Sequence, residues 1–464
     1  MKEERKKEQA QQNLTVGSPF WCLLRFAVPI IGGNIFQLLY TLADSVIVGR
    51  TLGAEALAAV GSTSIIIYFV LCFIQGITNG FGIVMAQRVG AREEKKVKRS
   101  IAVSTVLCVL FTVLLTVACC LLSRPMLTWM KTPEDIYEMA YQYMFVVLAG
   151  TGATIFYNMM SNILRALGDS KTPLCFLVLS SLLNVILDLV FLIPCRMGAA
   201  GAAWATVLSQ LLSAVLCLVA GLRKFRLLHL KKEDFENPGK DALLHLQIGF
   251  PMAFQMSVMC IGQLSMQSAV NALGSAAVAG YTAATKADQV SVLVNNAMGT
   301  AISGYVAQNY GARDFGRIRR GVRACLVQTE VLNVGMGIGM FLFRTPLVSL
   351  FIDRPTAEII TYSNGYLTAV APCYLILGLL LVYRTAIQSM QNTIAPFLAC
   401  MIELAMRIAS TTALVSAIGY TGVCIASPLA WAGATVMLIP VYYVMLHRRN
   451  RQHVQFQKKM DAFR

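Results

Sequence analysis

The chain has 464 residues, of which 56% are hydrophobic and 13% charged, with a formal net charge of +16. A soluble globular protein carries about 25% charged residues, and a soluble chain of this length divides into domains joined by polar linkers. Apolar blocks of roughly 20–30 residues with short polar breaks exclude that class, and they predict an all-α polytopic membrane protein, because about 20 apolar residues cross a bilayer as a helix.

In chain order, a polar tail (1–25) comes first. It opens MKEERKKEQAQQN, too charged and too long before the first apolar run to be a cleavable signal peptide. Six spans are predicted at 26–48, 56–86, 100–122, 136–164, 174–194 and 199–222, forming an N-lobe over 26–222. A basic cytoplasmic linker (223–245) leads to a C-lobe (246–446). Its spans are predicted at 246–270, 276–307, 321–343, 358–388, 394–418 and 422–446, and a tail follows at 447–464.

Suppose both termini face the cytoplasm. The tails and the loops around 88–99, 165–171, 223–240, 313–323 and 384 then hold 31 of the 39 Lys and Arg. The outer loops hold six, Arg50, Arg124, Lys131, Arg196, Arg344 and Arg354, while Lys286 and Arg407 fall within spans. Membrane proteins keep basic residues on the cytoplasmic side. The charge therefore reports orientation in a cell membrane, not nucleic-acid binding. Thirteen cysteines form no CxxC pair, and the four histidines (229, 245, 447, 453) lie in loops or near span ends. No metal-ligand spacing or catalytic constellation emerges, so the chain is not expected to be an enzyme.

The two lobes are a duplication. MAQRVGAR (85–92) returns as VAQNYGAR (306–313). Pro29 pairs with Pro251, Gly53 with Gly274, Pro125 with Pro346, Pro173 with Pro396, and Gly198 and Gly201 with Gly419 and Gly422. One offset of 221–223 runs through the chain. Each lobe has an even number of spans, so both enter the bilayer the same way, and a pseudo-twofold axis along the membrane normal relates them. Transporters use this plan.

Polar residues converge in the first lobe. At 1.5 Å per residue, Asp44 lies roughly 7–8 Å, Asp188 roughly 9 Å and Thr206 roughly 10 Å from the outer ends of their spans. Asn184 is one turn from Asp188 on the same face. A carboxylate inside a span costs about 2.5–3.5 kcal/mol, so it faces a cavity or a partner and marks an ion or proton path. A cluster that only joins helices is the alternative. No basic residue in these spans neutralises the acids, so a proton or a metal cation must do so. Gln37, Tyr40 and Asp44 share one helical face, and Asn158 lies in span 4. These either line the same cavity or bond between helices. In the second lobe the offset places Ser265 or Met266 opposite Asp44 and Ala409 to Thr411 opposite Asp188. The intramembrane charges there are Lys286 with Asp288 and Glu403 with Arg407, the latter read as a self-neutralised i, i+4 pair.

LADSVIVGRTLGAEALAAVG, AQRVGAR with its echo AQNYGAR, RALGDSKTP and GAAGAAWATVLSQ together resemble the multidrug and toxic compound extrusion (MATE) family, over essentially the whole chain. The resemblance implies twelve helices in two lobes and export of drug-like, often cationic, molecules in exchange for H⁺ or Na⁺. It is strongest to the DinF-like branch, which implies cation coupling at Asp44, Asn184, Asp188 and Thr206, these four being the metal ligands if the ion is Na⁺. It also implies a helix-1 hinge at Pro29 and a substrate cavity lined by Gln37, Tyr40 and Asn158. The NorM-like carboxylates of helices 7 and 10 are missing from spans 7 and 10. The expectation is thus a cation-coupled antiporter, monomeric, with the bilayer, an organic substrate and a transported H⁺ or Na⁺ as its partners and no other cofactor. A lipid-linked oligosaccharide flippase is the alternative, disfavoured because the first lobe has no Arg or Lys inside its spans.

Overall fold

A computed structural model describes residues 14–462 except 131, 237 and 353–354. The tail through Asn13 and the outer-loop cations Lys131 and Arg354 lie outside the described residues. Among the described residues there are fifteen α-helices and no strand. The first seven are α1 (Pro19–Leu52), α2 (Ala54–Gly90), α3 (Glu94–Trp129), α4 (Glu134–Ala149), α5 (Thr151–Ala166), α6 (Lys171–Leu192) and α7 (Gly198–Lys224). Two short 3₁₀ turns, Arg226–Leu228 and Lys232–Phe235, occupy the linker. Then come α8 (Gly239–Asn271), α9 (Ser275–Gly311), α10 (Phe315–Leu342), α11 (Arg344–Phe351), α12 (Ala357–Val370), α13 (Tyr374–Ser389), α14 (Ile394–Ile418) and α15 (Tyr420–Ala462).

Ten stretches are long and apolar enough to cross a membrane, or eleven with α4 and α5, which meet at a 41° bend. The bend falls at Gly150, where the Val207 side chain fills the place a Cβ would take. The remaining expected span, 276–307, is the continuous helix α9, but it is not among those apolar stretches. The physical reason is its load of Lys286, Asp288, Asn295 and Asn296, of which Asp288 and Asn295 are buried within the protein.

The chain forms two compact units, one of residues 28–256 and one of Leu14–Ala27 with Ser257 onward. The divisions fall inside α1, beside Pro29, and inside α8, after Pro251, not in the linker. In the first unit, α8 approaches α2 closely enough that a Cβ on Gly80 would lie 2.5 Å from Gly249 Cα, and one on Gly76 would strike the Ala253 backbone. Asp241, at the start of α8, takes Arg88 at 2.5 Å and Arg99 at 2.7 Å. In the second unit, Arg317 donates to Gly17 O at 2.7 Å and Gln328 to Phe20 O at 2.7 Å, tying the start of the chain to α10.

The backbone repeats with the sequence. Left-handed residues are uncommon away from glycine, yet Arg92 and Arg313 both have φ 58°. Gly168 (89°) and Gln391 (68°) form a second such pair, followed by matching caps. Asp169 Oδ1 accepts from Thr172 N at 3.1 Å, and Asn392 Oδ1 accepts from Ala395 N at 3.2 Å. These caps open α6 and α14, each with a proline at its third residue. In these two helices the offset is therefore 223. Asp169 also holds Lys224 at 2.8 Å and Thr172 Oγ1 at 2.6 Å. Burial alone would raise its pKa, but the bonds from Lys224 and Thr172 outweigh that and hold the carboxyl below its usual range.

Candidate functional site

In the first unit, α1 brings Asp44 beside Asp188 of α6, close enough for the two carboxyl groups to interact. Neither oxygen of Asp188 has an N–H or hydroxyl donor among the described residues. Asp188 is fully buried and Asn184, one turn before it, nearly so. Asn184 Nδ2 donates to Thr206 Oγ1 on α7 at 3.4 Å, while Asn184 Oδ1 has no donor among the described residues. Leaving a buried polar atom unpaired costs about 1–3 kcal/mol. Four neighbouring residues thus present oxygen atoms, several without a donor, and no ion pair forms here among the described residues. Such a set suits a proton shared between carboxyls, or a small hard cation, which takes oxygen ligands.

Tyr40 stands beside Gln37 and senses the charge of Asp44. Asn158 is on α5 and returns its amide to its own helix, Nδ2 to Thr154 O at 2.9 Å. Pro29 is buried within α1, which runs unbroken through it. Tyr143 of α4, not singled out in the sequence, comes within electrostatic range of Asp44, Asp188 and Tyr40. It also packs against an apolar cluster of Val48, Ala56, Leu192 and Ala202. Val48 is one turn beyond Asp44, Leu192 one turn beyond Asp188, and Ala202 one turn before Thr206. The cluster therefore closes one end of the polar site.

The second unit differs from expectation in three places. Arg384, expected in a cytoplasmic loop, is buried within α13 at 2% exposure. Its Nη2 reaches Glu403 at 2.5 Å, while Arg407 reaches the other Glu403 oxygen at 3.1 Å. The Glu403–Arg407 pair is therefore not self-neutralised, because one carboxylate serves two guanidinium groups. Lys286 is exposed and Asp288 buried, since residues two apart on a helix do not face each other. Asp288 accepts instead from Tyr374 Oη at 2.6 Å and Tyr366 Oη at 3.3 Å. Finally, Glu330 lies inside α10, an acid the sequence reading passed over. Gly378 of α13 makes room for it, since a Cβ there would lie 2.6 Å from Glu330 Oε1. Beside it, Asn333 bonds Tyr374 O at 2.8 Å and Asn295 at 2.8 Å.

Comparison with known proteins gives a consistent result. The sequence model described as MatE matches residues 29–190 and again 251–412, an offset of 222 that reproduces the internal duplication. The chain is 31% identical over 370 residues to the probable multidrug resistance protein YpnP of Bacillus subtilis, covering 79% of this chain and 81% of that protein. It is 23% identical to a FAD transporter of Shewanella oneidensis, covering 91% and 93%. In fold it is similar to an outward-facing multidrug resistance MATE family transporter of the MOP superfamily. The TM-score is 0.88 at 22% identity, over 94% of this chain and 98% of that one.

Proposed function

Because the chain belongs to the multidrug and toxic compound extrusion family, and so is a multi-pass membrane transporter, we propose that it is a cation-coupled antiporter of the cell membrane. It exports amphipathic, often cationic, organic compounds by alternating access, with both termini cytoplasmic. The observation that carries this reading is the facing pair of half-buried Asp44 and fully buried Asp188, with no basic partner among the described residues. Two carboxylates this close cannot both stay charged cheaply. Binding of H⁺ or Na⁺ removes that repulsion, and an ion that binds one conformation better shifts the population toward it. If the ion is Na⁺, Asp44, Asp188, Asn184 Oδ1 and Thr206 Oγ1 supply its oxygen ligands. The acids in the first unit also favour the DinF-like branch. Nothing favours the flippase reading.

The test is efflux of a fluorescent cationic dye from proteoliposomes under an imposed proton or sodium gradient. The wild type drives efflux and Asp188→Asn does not. Gradient-driven efflux that survives Asp188→Asn at normal protein levels defeats this assignment.

A further inference from the structure

The buried cluster Arg384–Glu403–Arg407 holds two positive charges against one negative. Arg384 and Arg407 are 2% and 6% exposed. Each guanidinium has five N–H donors. Their acceptors here are the two Glu403 oxygens and, for Arg384 Nη1, Met259 Sδ at 3.8 Å. The Nε atoms of both arginines are buried without an acceptor among the described residues. Of the other acids inside the helices of this unit, Asp288 spends its oxygens on Tyr366 and Tyr374, and neither it nor Glu330 forms an ion pair with either arginine among the described residues. An unmatched charge is costly inside a span. Removing a partner from a buried pair is strongly destabilising for the same reason.

The repeat tells where this cluster sits. At the offset of 223, Arg407 occupies in α14 the place that Asn184 occupies in α6, and Thr411 the place of Asp188. At the offset of 222 set by Pro29 and Pro251, Met266 replaces Asp44 and Gly262 replaces Tyr40. Gly262 leaves the guanidinium space, since a Cβ there would lie 3.2 Å from Arg407 Nη1. The second unit has thus built a basic site where the first has an acidic one.

We propose that the Arg384–Glu403–Arg407 cluster, beside Gly262, binds the anionic group of an organic molecule, a carboxylate or a phosphate. Planar guanidinium groups bind such oxyanions through paired hydrogen bonds. Resting on the export reading above, this extends the cargo from cations to zwitterions and organic anions. Glu403 acts as a placeholder that the anion displaces from one arginine.

The test uses the full chain in nanodiscs of phosphatidylcholine, with fluorescence polarisation of two xanthene dyes, fluorescein (anionic) and rhodamine 6G (cationic). Arg407→Gln leaves a neutral Arg384–Glu403 pair. It should weaken fluorescein binding roughly tenfold or more, the size of one charge-assisted hydrogen bond, and leave rhodamine 6G within about twofold. Arg384→Gln, which also leaves a one-to-one pair, should do the same and serves if the first variant does not fold. Glu403→Gln should tighten fluorescein. Inorganic phosphate should compete with fluorescein if the occupant is a soluble anion. If phosphatidylglycerol in the nanodisc competes instead, the occupant is a lipid phosphate at the same site. Unchanged fluorescein affinity in both folded arginine variants overturns the proposal, as does equal weakening of both dyes, which marks a purely structural cluster. No gradient is used, so a failure of cation coupling leaves this result intact.

Discussion

In α6, Asp188 follows Asn184 by one turn; in α14, at the same helical position, Thr411 follows Arg407. In the first unit Thr206 bonds Asn184, and in the second its counterpart Ser427 places Oγ 3.1 Å from Met266 Sδ, the counterpart of Asp44. The two units keep matching caps and left-handed turns around these positions, yet the local charge is inverted. Backbone geometry and site chemistry are set by different residues. Gly, Pro and Asx residues at the turns fix the first, and four or five side chains inside the helices fix the second. A duplicated fold therefore carries no guarantee that its site was duplicated.

The strongest way to break this comparison is at the acids. Asp188→Asn should abolish gradient-driven dye efflux while the protein inserts normally. If Asp44 and Asp188 form one site, Asp44→Asn should remove the pH or Na⁺ dependence of substrate binding, and adding Asp188→Asn should do little more. Titrating substrate affinity against pH and Na⁺ in the wild type, both single variants and the double separates the cases. Full cation responses in each single variant would make the acids independent.

A smaller effect is expected at the basic cluster. Glu403→Leu strands two buried guanidinium groups and should cost about 3–5 kcal/mol of stability. Arg407→Gln keeps a one-to-one pair and should cost clearly less. Thermal unfolding in detergent reads the order, and equal losses would mean the cluster is not charge-unbalanced. The smallest effect belongs to the repeated caps. Asp169→Ala should cost about 1–2 kcal/mol, and Asn392→Ala less, because only Asp169 also holds a lysine. The Asp169 pKa is depressed in the folded state. Its contribution is therefore present at neutral pH and lost as the pH falls through the folded value. The wild type should lose its advantage over Asp169→Ala in acid, and an advantage that persists there would mean the Lys224 contact is not ionic.

Asp44, Asn184, Asp188 and Thr206 were legible because polar atoms in an apolar helix have few reasons to be there; helical spacing puts Asn184 and Asp188 on one face, and the helical rise from the span ends puts Asp44 and Thr206 at a similar depth. The duplication was legible because its turns need particular residues. Val48, Leu192 and Ala202 were not, since an apolar residue in an apolar span carries no positional signal. Tyr143 was hidden among the other aromatic residues of α4. Arg384 misled because it stands near a chain break, where a basic residue reads as a loop, and only the packing of α13 against α14 shows it paired inside. Glu330 was passed over, because a single acid within an otherwise apolar span was not set against its neighbours.

The apolar cluster beyond the acids has an electrical consequence. A membrane potential falls across low-dielectric material and not across water that can carry ions. Val48, Leu192, Ala202 and Tyr143 place such material directly against Asp44 and Asp188. If the coupling cation proposed above is held there, part of the field lies on one side of it, and moving one charge through the whole field is worth about 2.3 kcal/mol per 100 mV. Efflux by the wild type should then change with an imposed voltage at constant pH and sodium. Leu192→Asn, which wets the insulator, should flatten that dependence and let the coupling ion leak without cargo.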